Sequence, residues 1–167
     1  MDMQVYGRPV DQDNRRRDLA WRLFAHQVRM GAIRGMTTFS KHQQKTLRDR
    51  WGFPQDTRPR GTPPSAMSRF FEPDAHAKAT ALALLCQRCG AVDARGPVHV
   101  EGHFYPLSFG ECVCKTLEMF RACYPSSDIK FEHVMMMAVG LADGHAIRLA
   151  PCPVCGLEML VDRLAKE

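Results

Sequence analysis

Two short elements of the same form, Cys86-Gln87-Arg88-Cys89-Gly90 and Cys152-Pro153-Val154-Cys155-Gly156, hold four of the chain's seven cysteines. Thiolates separated by two residues can chelate one metal ion, and the glycine that follows lets the chain turn while leaving backbone amides near the sulfurs. Four thiolates close a tetrahedron and leave no position for water or substrate. The chemistry these pairs predict is therefore a structural Zn2+ held by Cys86, Cys89, Cys152 and Cys155. The stretch between the pairs is longer than in a compact zinc ribbon. Cys112 and Cys114 compete as the second pair, at a one-residue spacing that chelates less well. Cys123 reads as a buried small hydrophobe.

A catalytic pattern is also present. His99-Val100-Glu101 followed by Pro151-Cys152-Pro153-Val154-Cys155 fits the H-x-E…P-C-x-x-C form of zinc nucleobase deaminases, in which the glutamate shuttles protons at a metal-bound hydroxide. Such sites mount both motifs at helix N-termini, whereas Glu101 precedes Gly102 and Pro106, and Cys155 precedes a strand-like run. The histidines at 76, 103, 133 and 145 stand alone and read as ordinary surface or core positions. With no H-E-x-x-H, phosphate-binding loop or nucleophile elbow, the sequence points away from an enzyme.

Charge points to a different chemistry. The first 70 positions hold 14 of the 23 Lys and Arg but only 6 of the 18 Asp and Glu. A basic half joined to a slightly acidic one predicts that the first meets a polyanion and the second folds or binds a partner.

The elements that must present this charge follow from periodicity. Residues 1–14 read as a flexible leader. Over 15–30, Leu19, Leu23, Phe24 and Val28 recur at helical spacing, opposite Arg15, Arg16, Arg22 and Arg29. Gly31 and Gly35 then loosen or end this helix. Thr37, Thr38 and Ser40 offer N-caps for a second helix over 41–51, which Gly52 and Pro54 stop. The outcome is a helix-turn-helix-like region over 15–71. Lys41, His42, Gln44, Lys45 and Arg48 of the second helix are placed to read base edges, with Leu47 and Trp51 as its apolar anchors. Four prolines and two glycines over 52–65 make a strap, whose Arg58 and Arg60 join Arg15, Arg16 and Arg17 as phosphate contacts.

Residues 72–167 read as a helical and zinc-binding region. Helices are expected from about 73 to 85, over 110–123 and over 129–141, with loop and one short strand between 90 and 110. Residues 146–162 alternate and turn as a β-hairpin with the second cysteine pair at its tip. The fold class is mainly α with a small β zinc knuckle. A hydrophobic fraction of 45% and a charged fraction of 25% are those of a folded globular chain. The absence of an apolar leader or a membrane-length apolar run predicts a cytoplasmic protein with reduced cysteines and no membrane partner.

In their order, the two basic helices, the strap and the Cys-x-x-Cys hairpin resemble the FlhC family of flagellar master transcriptional regulators and its relatives on mobile elements. The closest stretches are 29–40, Leu47-Arg48-Asp49-Arg50-Trp51-Gly52, Pro59-Arg60-Gly61, Asp74-Ala75-His76-Ala77 and 144–156. The resemblance implies a transcription activator that joins an FlhD-like subunit in a hetero-oligomer, wraps double-stranded promoter DNA and helps recruit RNA polymerase. Members of that family hold zinc with two closely spaced Cys-x-x-Cys pairs, of which only Cys152 and Cys155 match here. Either Cys86 with Cys89, or Cys112 with Cys114, supply the other two ligands, or the metal site is lost.

Overall fold

The computed structural model describes residues 9–54, 62, 64–95 and 105–164. Among these described residues, six α-helices and one two-stranded antiparallel hairpin make the fold, mainly α as the periodicity indicates.

The first helix, α1, runs Pro9–Ala25. Its start corrects the expectation of a leader through residue 14. Proline fits a helix's first turn, and Asp11 complements the dipole there. Residues 1–8 lie outside the described residues. The helix also ends earlier than 30, at a turn in which Gln27 adopts a φ of 56°. A separate helix, α2, then spans Met30–Thr37, where the glycines had pointed to a break. Gly35 is buried there, and its carbonyl accepts from the Tyr105 N–H at 2.9 Å. Its third helix, α3, is Lys41–Trp51, with the expected bounds.

After a 3-10 turn at Met67–Phe71 come α4 at His76–Arg88, α5 at Leu107–Cys123 and α6 at Phe131–Asp143. They pack against one another, while α1 and α2 both lie on α5. Leu19, Leu23, Phe24, Ile33 and Met36 of the first half share one buried cluster with Leu82, Phe109, Val113, Leu117, Phe120, Phe131 and Met137 of the second. Met135 and Met136 pack against the same cluster. Gly110 permits the close approach: a Cβ there would stand 2.7 Å from Leu19 Cδ2 and 3.0 Å from Met36 Sδ.

The hairpin pairs β1, Ile147–Pro151, with β2, Glu158–Asp162, in the register Ile147 to Asp162 and Pro151 to Glu158. Ile147 and Leu160 are fully buried. The hairpin lies along α4, where Leu160 N–H donates to Thr80 Oγ1 at 3.1 Å and its carbonyl meets His76 Nε2 at 2.7 Å. These anchors sit in the N-terminal half of α4, and residues 153–158 at the far end of the hairpin are all exposed. Among the described residues, no helix is long and apolar enough to cross a membrane.

Candidate nucleic-acid interface and cysteine knuckle

The helix pair of the first half is α2 and α3, joined by Thr38, Phe39 and Ser40. Two short helices around a three-residue turn are the form of a DNA-reading helix-turn-helix. Thr38 takes the left-handed conformation, φ 63°, and its N–H closes α2 on the Arg34 carbonyl at 2.9 Å. Thr37 Oγ1 donates to the Ile33 carbonyl at 2.7 Å and accepts from Phe39 N–H at 3.3 Å. Ser40 and Gln43 then form a reciprocal capping box, with bonds of 3.2 and 2.8 Å, that starts α3 in a fixed direction.

Leu47 and Trp51 face the core, and helical spacing puts Gln44 and Arg48 on that same side. Gln44 is fully buried, and its Nε2 donates to the Phe39 carbonyl at 2.9 Å and the Met30 carbonyl at 3.2 Å. It ties α3 to the turn and to the first residue of α2. Arg48 is 2% exposed; its guanidinium lies 5.2 Å over the Phe24 ring and donates to the Pro54 carbonyl at 2.8 Å. The expectation that Gln44 and Arg48 reach bases is therefore corrected, because neither side chain is open to a ligand.

The other face of α3 is open. Lys41, His42, Lys45, Thr46, Asp49 and Arg50 are all exposed. A cleft of about 340 Å³ between α1 and α3 brings Arg17 beside His42, Thr46 and Arg50, above Phe39 and Leu47. Arg50 was not among the expected contacts, although its i+4 and i+8 relation to Thr46 and His42 carries the signal.

The arginines of α1 differ among themselves. Arg15 makes a two-pronged pair with Glu111 of α5, at 3.0 and 2.5 Å, which raises its pKa mainly through that hydrogen bond. Arg15, expected at phosphate, remains exposed while it bridges α1 and α5. Arg22 pairs with Glu118 in the same two-pronged way, at 3.0 and 2.8 Å. Arg17 is exposed and makes an i,i+4 pair with Asp13 at 2.9 Å, while Arg16 is half-buried. Arg58 and Arg60 lie outside the described residues.

Cys86 and Cys89 stand at the end of α4 with Cys112 of α5 nearby. Cys86 is fully buried at the C-terminal end of α4, and burial, followed by the neighbouring Cys89, pushes its thiol far up. Cys89 Sγ meets Met119 Sδ at 3.5 Å. Cys112 is half-buried and Cys114 fully buried, since residues two apart on a helix do not face each other. Burial pushes the Cys114 thiol up to about 12. Cys123 is exposed, not buried as its isolation had implied.

Cys152 and Cys155 sit at the hairpin tip, Cys152 half-buried and Cys155 exposed. The tip turns tightly: Cys152 N–H donates to the Leu157 carbonyl at 2.7 Å, and Gly156 N–H, at φ 74°, returns to the Cys152 carbonyl at 2.8 Å. Backbone N–H groups of Cys155 and Val154 aim at the Cys152 sulfur and, with the Cys155 thiol, hold it below the ordinary thiol range. The chain thus builds one two-thiol knuckle and does not bring the expected quartet together. Among the described residues, no three His, Cys, Asp or Glu side chains gather where a metal could sit. His99 and Glu101 of the deaminase pattern lie outside the described residues, and its cysteines occupy a hairpin tip instead of a helix N-terminus. No protein-family model matches this sequence, and neither does any curated protein.

Proposed function

We propose that the chain is a DNA-binding transcriptional activator subunit that sets α3 into the major groove of double-stranded DNA. One observation carries this reading: a short helix pair fixed by its own buried bonds presents Lys41, His42, Lys45 and Arg50 on the open face of its second helix. No acidic residue stands in the first turn of α3, where Lys41 opposes the helix dipole. A bound phosphate would relieve that opposition. In this reading Lys41, His42 and Lys45 meet base edges and nearby phosphates, while Arg17 and Arg50 take the backbone across the cleft.

The ordered resemblance to the FlhC family supports a cytoplasmic activator working with an FlhD-like subunit and RNA polymerase. The knuckle supports Zn2+ as cofactor, with Cys152 and Cys155 as two of its four ligands.

The test is gel-shift retention of duplex DNA by the double variant Lys41→Glu with Lys45→Glu. Retention is expected to fall at least about tenfold, and wild-type retention to weaken steeply with salt as counterions return to the duplex. Lys41→Glu places acid in the first turn of α3, so that change should hold stability or raise it by about 0.3–1 kcal/mol, while Lys45 lies in the second turn, beyond that effect. Retention that survives the double variant would leave a zinc-stabilised protein–protein adapter as the better reading.

A further inference from the structure

We propose that Cys152 and Cys155 are one half of a tetrathiolate zinc site that the same two cysteines of a second copy of this chain complete. The inference rests on reading the knuckle as a thiolate half-site and adds to it the identity of the missing ligands.

Zinc in a structural site takes four ligands in a tetrahedron, with sulfurs about 2.3 Å from the metal. The hairpin tip supplies two, in a turn already fixed by backbone bonds of 2.7 and 2.8 Å. Among the described residues, no third ligand stands near them. The tip also stands open to a partner, because residues 153–158 are all exposed. All seven cysteines of the chain are among the described residues and no other approaches this pair, so two further thiolates would come from outside the chain.

The tip's own chemistry favours a second copy as their source. Val154 is 92% exposed and Leu157 72%, among the largest apolar exposures in the molecule, and they bracket Cys155. A patch holding two thiols and two apolar side chains is complementary to itself about a twofold axis, as an isologous dimer requires. The metal then receives two thiolates from each copy, and Val154 and Leu157 leave water against their counterparts. Bonds to zinc relieve such a dimer of the roughly 800 Å² per partner that an ordinary stable interface buries.

The experiment is light scattering of the full chain alongside its zinc content, with Co2+ as a spectroscopic probe. Zinc-loaded protein is expected at twice the 18.9 kDa chain mass with one zinc per two chains, falling to single-chain mass on chelation. Co2+ should saturate at half an equivalent with the absorption of four thiolates. Cys152→Ser and Cys155→Ser, on an exposed tip, should each stay folded by circular dichroism, run at single-chain mass and lose the metal. One zinc per chain at single-chain mass would overturn completion by a second copy while sparing the half-site. Wild type that takes up neither metal would overturn both.

Discussion

Gln44 and Arg48 carry the residue-scale lesson, because their chemistry suits base reading and their position forbids it. The anchors Leu47 and Trp51 are legible in the sequence, and spacing of three and four residues places Gln44 and Arg48 beside them. The amide of Gln44 instead satisfies two buried carbonyls. Gln44→Ala should cost about 1–3 kcal/mol in chemical denaturation, as those acceptors lose their donor. A variant as stable as wild type but altered in DNA sequence preference would return Gln44 to the interface. His133 is the second case, a lone histidine whose role the sequence could not assign. Its Nδ1 accepts from Lys130 N–H at 3.0 Å, and its Nε2 lies 2.8 Å from Arg69 Nη1, while Arg69 Nη2 donates to Asp128. Burial and then the Arg69 charge push its pKa down to about 4. The unfolded chain, with an ordinary histidine near 6.5, binds more protons between those values, so acid favours unfolding there. Its contribution is complete above about pH 6.5 and is lost as pH falls toward about 4. Denaturation midpoints should show that slope in wild type and a flatter one in His133→Asn.

At the scale of elements, α3 and the hairpin were legible because their signals are local. A capping box and Gly52 bound the one, while two alternating runs around a Cys-x-x-Cys-Gly turn define the other. The helix α2 was not legible, since Gly31 and Gly35 lower helix propensity and only tertiary contact restores it. Ile33, Gly35, Met36 and Thr37 are all buried, so burial against α5 compensates for what local preference withholds. The near approach at Gly110 depends on the missing side chain. Gly110→Val should drive Leu19 and Met36 apart and cost about 1–3 kcal/mol. Thermal unfolding would register this as a lowered midpoint, and an unchanged midpoint would mean that α1 and α2 do not need so tight a seat.

At the scale of the whole molecule, the uneven distribution of charge along the sequence becomes a joint between its halves. Arg15 meets Glu111, Arg22 and His26 meet Glu118, Arg29 meets Glu132, and Arg69 meets Asp128. The excess positive charge of the first 70 positions was legible as composition, but its destination depends on which faces come together. Arg15, Arg22, Arg29 and Arg69 bind the acidic half, while Lys41, Lys45 and Arg50 stay on the open face of α3. Exposed pairs add little stability individually, so the joint is held chiefly by the apolar cluster beneath them. Leu19, Leu23, Ile33 and Met36 share their buried cluster with side chains of α4, α5 and α6, which the first half alone lacks. A fragment of residues 1–71 should accordingly lack a cooperative melt and show weak helical circular dichroism, since isolated helices of 8 to 17 residues are marginal in water. The full chain should instead unfold in a single transition seen alike by tryptophan fluorescence, which reports Trp21 and Trp51 of the first half, and by helical signal from the whole. A fragment that melts cooperatively by itself, or a full chain whose two probes separate, would show that the basic half carries a core of its own and meets DNA as an independent module.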